Sequence, residues 1–92
     1  MKAELLVRAR DVLSEDELVE MVVWRVPKPV PPGKHRFKYR LVYLVKGERV
    51  VGCDNERGKG DHCHLDGNES PYTFVNIDQL IQDFVREVEC RR

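Results

Sequence analysis

The chain predicts an α+β fold, an antiparallel β-sheet packed by a C-terminal amphipathic α-helix, in a single domain over residues 1–92. Three observations carry this: apolar and polar residues alternate through most of the chain, prolines and a glycine interrupt it once, and the last segment changes to helical spacing. Ninety-two residues suffice for one modest core, which buries roughly 60–65% of the unfolded surface. A hydrophobic content of 41% and a charged content of 35% are ordinary for a globular protein. No apolar run approaches the roughly 20 residues needed to span a bilayer, and Met1-Lys2-Ala3-Glu4 does not open a signal peptide, so no membrane partner is expected.

The elements follow in order. Ala3, Leu5, Val7 and Ala9 alternate with Glu4, Leu6, Arg8 and Arg10, the pattern of a half-buried strand, and Ser14-Glu15-Asp16 is a turn-like break. Leu18–Val26 is rich in valine, with a methionine and a tryptophan, a composition that suits a pleated sheet. Pro27, Pro29, Pro31, Pro32 and Gly33 then impose a surface loop. Phe37–Val45 is the next strand, and Lys46-Gly47-Glu48 connects it as a hairpin to Arg49–Cys53. Further short strands are expected at His62–Leu65 and at Tyr72–Val75. Ile77, Leu80, Ile81, Phe84, Val85 and Val88 fall on one face of an α-helix. Asn76 caps it, with Gln79 as the reciprocal half of a capping box.

Charge and cysteine usage narrow the partners. Sixteen basic and sixteen acidic residues cancel, so any affinity for nucleic acid must come from local clustering. Strand alternation supplies one cluster, with Lys34, Arg36, Lys38 and Arg40 on one face of Lys34–Val45, a basic stripe of the shape that tracks a phosphate backbone. The plainer reading is a solvated sheet face with Glu17, Glu20 and Glu48 alongside. Cys53, Cys63 and Cys90 are odd in number and lack framework spacing, which suits a reducing cytoplasm, and a cytoplasmic location is expected.

Residues 52–65 concentrate the chemistry. Asp54-Asn55 precedes a polar, glycine-rich stretch that ends in Asp61-His62-Cys63-His64. In an extended segment His62 and His64 project to one side from origins about 6.6 Å apart, with Cys63 pointing into the core as a small hydrophobe. Two imidazoles so placed can converge on a metal ion or flank a phosphate as acid and base. The plainer reading is a pair of exposed loop histidines with no shared task. CxxC and HExxH pairs are absent, which disfavours a closed structural zinc site, and Gly58-Lys59-Gly60-Asp61 lacks P-loop spacing. The carboxylate of Asp54 beside Cys53 disfavours a cysteine nucleophile.

Four stretches resemble the TumE-like proteins over nearly the whole chain. They are Val23-Trp24-Arg25-Val26-Pro27, His35-Arg36-Phe37-Lys38-Tyr39-Arg40, Asp54 through His64, and Pro71-Tyr72-Thr73-Phe74. The Asp54-Asn55…Asp61-His62-x-His64 pattern is the most specific part. Two positions depart from the family's usual residues: Cys53, where an aromatic residue is expected, and Cys63, where a basic one is expected. The resemblance implies a small toxin of a toxin–antitoxin pair, usually encoded beside a helix-turn-helix antitoxin. Toxins of this size commonly act on RNA, which implies an endoribonuclease that needs no metal or cofactor.

In that reading His62 and His64 are the acid/base pair, Asp54 or Asp61 orients an imidazole, and Asn55 donates to phosphate or ribose. Lys34, Arg36, Lys38, Arg40 and Lys59 hold the RNA backbone. Asp54, Asn55, His62 and His64 should then share one pocket on a single side of the sheet, with neither imidazole in the core. A homodimer is compatible with this reading. The alternatives are a non-catalytic interaction module for nucleic acid or protein and a small metal-binding protein using His62 and His64.

Overall fold

A computed structural model describes residues 2–92. Alternation carries the strands further than the apolar runs alone suggest. The strands are β1 (Glu4–Ser14), β2 (Glu17–Arg25), β3 (Phe37–Val45), β4 (Glu48–Glu56), β5 (Gly60–Leu65) and β6 (Asn68–Pro71), and the helix is α1 (Ile77–Glu89). The strands form one antiparallel sheet whose spatial order is the chain order. Such a meander needs only short links, and two of them are two-residue turns with positive φ at both positions. Lys46 and Gly47 have φ of 52° and 80°, and Asp66 and Gly67 have 52° and 87°. Both match the twist that joins adjacent antiparallel strands.

The second of these turns explains a shift from the expected elements. It folds the chain back at once, so the last strand is Asn68–Pro71, and Tyr72–Val75 becomes the connector to α1. β4 likewise runs through Asp54 and Asn55 rather than ending at Cys53. β3 begins at Phe37, so only Lys38 and Arg40 of the basic stripe stand on a strand, and Lys34 and Arg36 lie in the preceding loop.

The apolar core lies on one face of the sheet. Val19, Val23, Tyr39, Leu41, Tyr43, Val51, Cys53 and Cys63 meet Leu80, Phe84 and Val88 of α1. Asn76 Oδ1 accepts the Gln79 backbone N–H at 2.7 Å, as a cap should, but the Gln79 side chain reaches forward to Asp83 at 2.8 Å instead of closing a capping box. Cys53 and Cys63 are register partners and form a disulfide, with Cα atoms 4.1 Å apart. Cys63 is therefore buried as expected but not as a free thiol, and the bond removes the cysteine argument for a reducing compartment. No helix of the described residues is long and apolar enough to cross a membrane.

Candidate functional site

Register assigns the polar residues of the 52–65 stretch to opposite faces of the sheet. Directly paired residues of neighbouring strands project to the same side. One row across the sheet reads Arg8, Val22, Arg40, Asp54, His62 and Pro71. The next reads Arg10, Glu20, Val42, Gly52, His64 and Glu69. Both rows lie on the face away from α1, which no helix or strand covers among the described residues. Asp54, His62 and His64 thus stand together, as the sequence leads one to expect.

Asn55 and Asp61 do not join them. These two pair with each other and, one residue on from Asp54 and one back from His62, face the helix side. Asn55 is 2% exposed. Its Oδ1 accepts the Tyr39 N–H at 3.0 Å and its Nδ2 donates to the Phe37 carbonyl at 2.7 Å, extending the β3–β4 ladder past its last backbone pair. The expected single pocket fails for this reason: strand geometry cannot point neighbours in sequence to one side.

His62 departs from expectation in another way, because it is 3% exposed rather than standing free of the interior. Its Nδ1 lies 3.1 Å from the Gly60 carbonyl oxygen and its Nε2 lies 2.7 Å from Asp54 Oδ1. The latter pair does not align as a hydrogen bond, so Nε2 and Oδ1 are both buried without a directional partner. Glu69 and Glu56 place further carboxylate oxygens 3.6 and 3.8 Å from Nε2. His64 stands edge-on to His62 at a centroid separation of 5.3 Å and is only half-buried, so it is the more accessible ring. A recess of about 270 Å³ opens beside His62 between Lys59, Glu69, Ser70 and Pro71. Lys59 pairs with Glu69 at 2.8 Å, which lowers the Glu69 carboxyl below its usual range and raises the Lys59 ammonium.

Cations surround this cluster, only partly those expected. Arg40 lies beside Asp54 in its row, and Lys38 stands one step along the same strand face, its ammonium donating to the Asn55 carbonyl. Arg8 and Arg10 extend the two rows to the far edge of the sheet. Arg49 lies across Gly52, where a Cβ would meet its Cδ at 2.6 Å, so the glycine leaves room for a cation next to His64. Among the described residues Arg8, Arg10, Arg40 and Arg49 make no ion pair within 4.0 Å. Trp24, 37% exposed, pairs with Lys38 on this face. Period-two spacing in β1 already put Arg8 and Arg10 on one side. Their relation to Asp54 needed the register of three further strand pairs.

The other expected residues gather elsewhere. Lys34 and Asp61 line a cavity of about 650 Å³ at the start of α1, together with Arg25, His35, Phe37 and Phe74. His35, not singled out by its sequence context, places Nε2 2.8 Å from Asp61 Oδ1 and stacks on Phe74 at 3.8 Å. Its Nδ1 accepts the Phe37 N–H at 3.2 Å, so Nε2 carries the ring proton and donates it to Asp61. Tyr39 donates to the same Asp61 oxygen at 2.6 Å. Burial, reinforced by this bond, holds its phenol well above the usual range. Asp61 orients His35, not the histidines of the open face.

A meander sheet with a helix on one face and a histidine–carboxylate cluster ringed by cations on the other defines a small α+β protein built around a polar sheet surface. The family model described as Toxin TumE matches residues 2–92, and the chain belongs to that toxin family. No curated protein and no solved structure matches the chain.

Proposed function

We propose that the chain is the toxin of a type II toxin–antitoxin pair and acts on RNA, with Asp54, His62 and His64 as the reacting centre. Membership in a toxin family supports the first half. One observation supports the second: the cluster lies in the same two rows of an uncovered sheet face as Arg8, Arg10 and Arg40, with Lys38, Arg49 and Trp24 beside them. Unpaired cations on an open surface neutralise phosphates, and an exposed indole offers a stacking face to an unpaired base.

Geometry then divides the roles. His64 is the ring a phosphodiester can reach, whereas His62, buried against Asp54 and Gly60, acts behind it. Asn55 is buried on the helix side with its amide engaged by the β3 backbone, and Lys34 lies off this face, so neither belongs to the reading. Lys59 stays in it through its pair with Glu69 beside His62. The natural partner is an antitoxin, of the helix-turn-helix type that accompanies TumE-like toxins.

The test is expression alone and together with the neighbouring gene, scoring growth and RNA integrity. The wild-type chain should arrest growth and degrade RNA, and co-expression should relieve both. His64→Ala should abolish both effects while its circular dichroism stays native, since a positioned catalytic group is worth roughly 10²–10⁴-fold. Growth arrest with intact RNA, or full toxicity of His64→Ala, sinks the reading.

A further inference from the structure

We propose that Asp54, His62 and His64 bind a divalent first-row transition ion, with Zn²⁺ the representative probe. One ligand atom from each of the three residues lies within 4.8 Å of the others. Proximity alone would carry little. The independent observation is the state of His62, whose side chain is 4% exposed and whose two nitrogens are unequally provided for. A carbonyl oxygen can only accept, so the contact with Gly60 puts the proton on Nδ1. In the neutral ring Nε2 then presents a bare lone pair to Asp54 Oδ1 at 2.7 Å, and both atoms are buried without a hydrogen bond. Two buried acceptors facing each other repel unless a metal ion or a second ring proton stands between them.

A histidine that ligates a metal almost always donates its other ring N–H to a carbonyl or carboxylate, which fixes the tautomer and aims the lone pair. The Gly60 contact has that form. Two imidazoles and one carboxylate match the preferences of Zn²⁺ and its neighbours rather than the all-oxygen sets of Ca²⁺ or Mg²⁺. Ligand atoms around a tetrahedral ion stand about 3.3 Å apart, so Nε2 and Oδ1 need open only slightly to admit one. Three protein ligands would leave a fourth position free, and a site with an open position is catalytic in type. Glu69 at 3.6 Å from Nε2 adds negative potential, and the Cys53–Cys63 disulfide ties together the strands that carry the ligands.

This inference deepens the reading of the cluster as a reacting centre. It replaces the expected metal-independent proton relay by one in which the imidazoles hold an ion. Its binding half is measured without RNA. Chelator-treated full-length protein would be titrated with Zn²⁺ by calorimetry and thermal melting, and with Co²⁺ by visible absorption. One equivalent should bind, melting should shift upward, and Co²⁺ should give the ligand-field bands of a low-coordinate nitrogen–oxygen site. Asp54→Asn and His64→Ala should each weaken Zn²⁺ binding by at least about 10-fold, and His35→Ala should leave it unchanged. Should His62→Ala not fold, the other two variants still decide. No Zn²⁺ binding, or binding indifferent to both variants, overturns the proposal, leaving a doubly protonated His62 as what separates the two acceptors. Binding without RNA degradation keeps the site and removes the ribonuclease. Degradation that persists in chelator keeps the ribonuclease and removes the ion from its chemistry.

Discussion

Asn55 separates a structural from a catalytic role at the level of one side chain. Its amide closes the start of β3 from the buried side of β4, through the Tyr39 N–H and the Phe37 carbonyl. Asn55→Ala leaves both backbone groups buried and unpaired, so it should destabilise the fold by about 2–4 kcal/mol in urea unfolding. A variant that loses activity at full stability would instead return Asn55 to the chemistry. Glu17 makes a second prediction. The Tyr43 hydroxyl, then Arg92 and Ser14, donate to its carboxylate and lower its pKa from 4.5 to about 2. A depressed carboxyl stabilises the fold fully above its unfolded pKa and loses that contribution as pH falls through the folded value. Acid unfolding should therefore steepen between about pH 4.5 and 2, and Glu17→Gln should flatten that part of a pH–melting curve.

At the scale of elements, the β4–β5 hairpin carries the site and the disulfide holds its register. Cys53 and Cys63 are 10 residues apart on directly paired positions, one flanking Asp54 and the other sitting between the two histidines. Because one residue of slip would turn both imidazoles to the helix side, the bond protects the face as much as the fold. Replacing both cysteines by alanine, or reducing the bond, should lower stability by about 2–3 kcal/mol, read as a shift in urea midpoint. An unchanged midpoint after reduction would show that backbone pairing alone sets the register. The Pro-rich loop braces the same hairpin from outside, through the Gly58 N–H to the Pro31 carbonyl at 2.8 Å and the packing of Pro32 against Gly60.

For the molecule as a whole, a net charge of zero conceals an asymmetric surface. Among the described residues the open face gathers Arg8, Arg10, Arg40 and Arg49 without ion pairs, while Arg91 and Arg92 are engaged by Asp66, Glu87 and Glu17 at the helix end. Arg8→Ala and Arg40→Ala should each weaken RNA binding for every sequence. Each should also reduce the slope of log affinity against log salt by about 1 in a fluorescence titration. Lys34→Ala, off that face, should leave the slope unchanged. Equal slopes for all three variants would detach the basic rows from RNA.

Much of this was legible in the residues, because periodicity is a local property. Period two marked β1 and β3, a valine-rich composition marked β2, a proline run marked the loop, and the spacing from Ile77 to Val88 marked α1. The union of Asp54 with His62 and His64 was also readable, since a short hairpin brings its flanks together. What stayed hidden depended on which residue pairs with which. Register sent Asn55 and Asp61 to the helix side, brought Arg8 and Arg10 into line with the histidines, and set Cys53 against Cys63. It also buried His62 against a carbonyl and a carboxylate. The sequence alone determined the elements and the residue types of the site. Only the tertiary structure decided the faces and the burial, because pairing across strands is settled by the packing of the whole sheet.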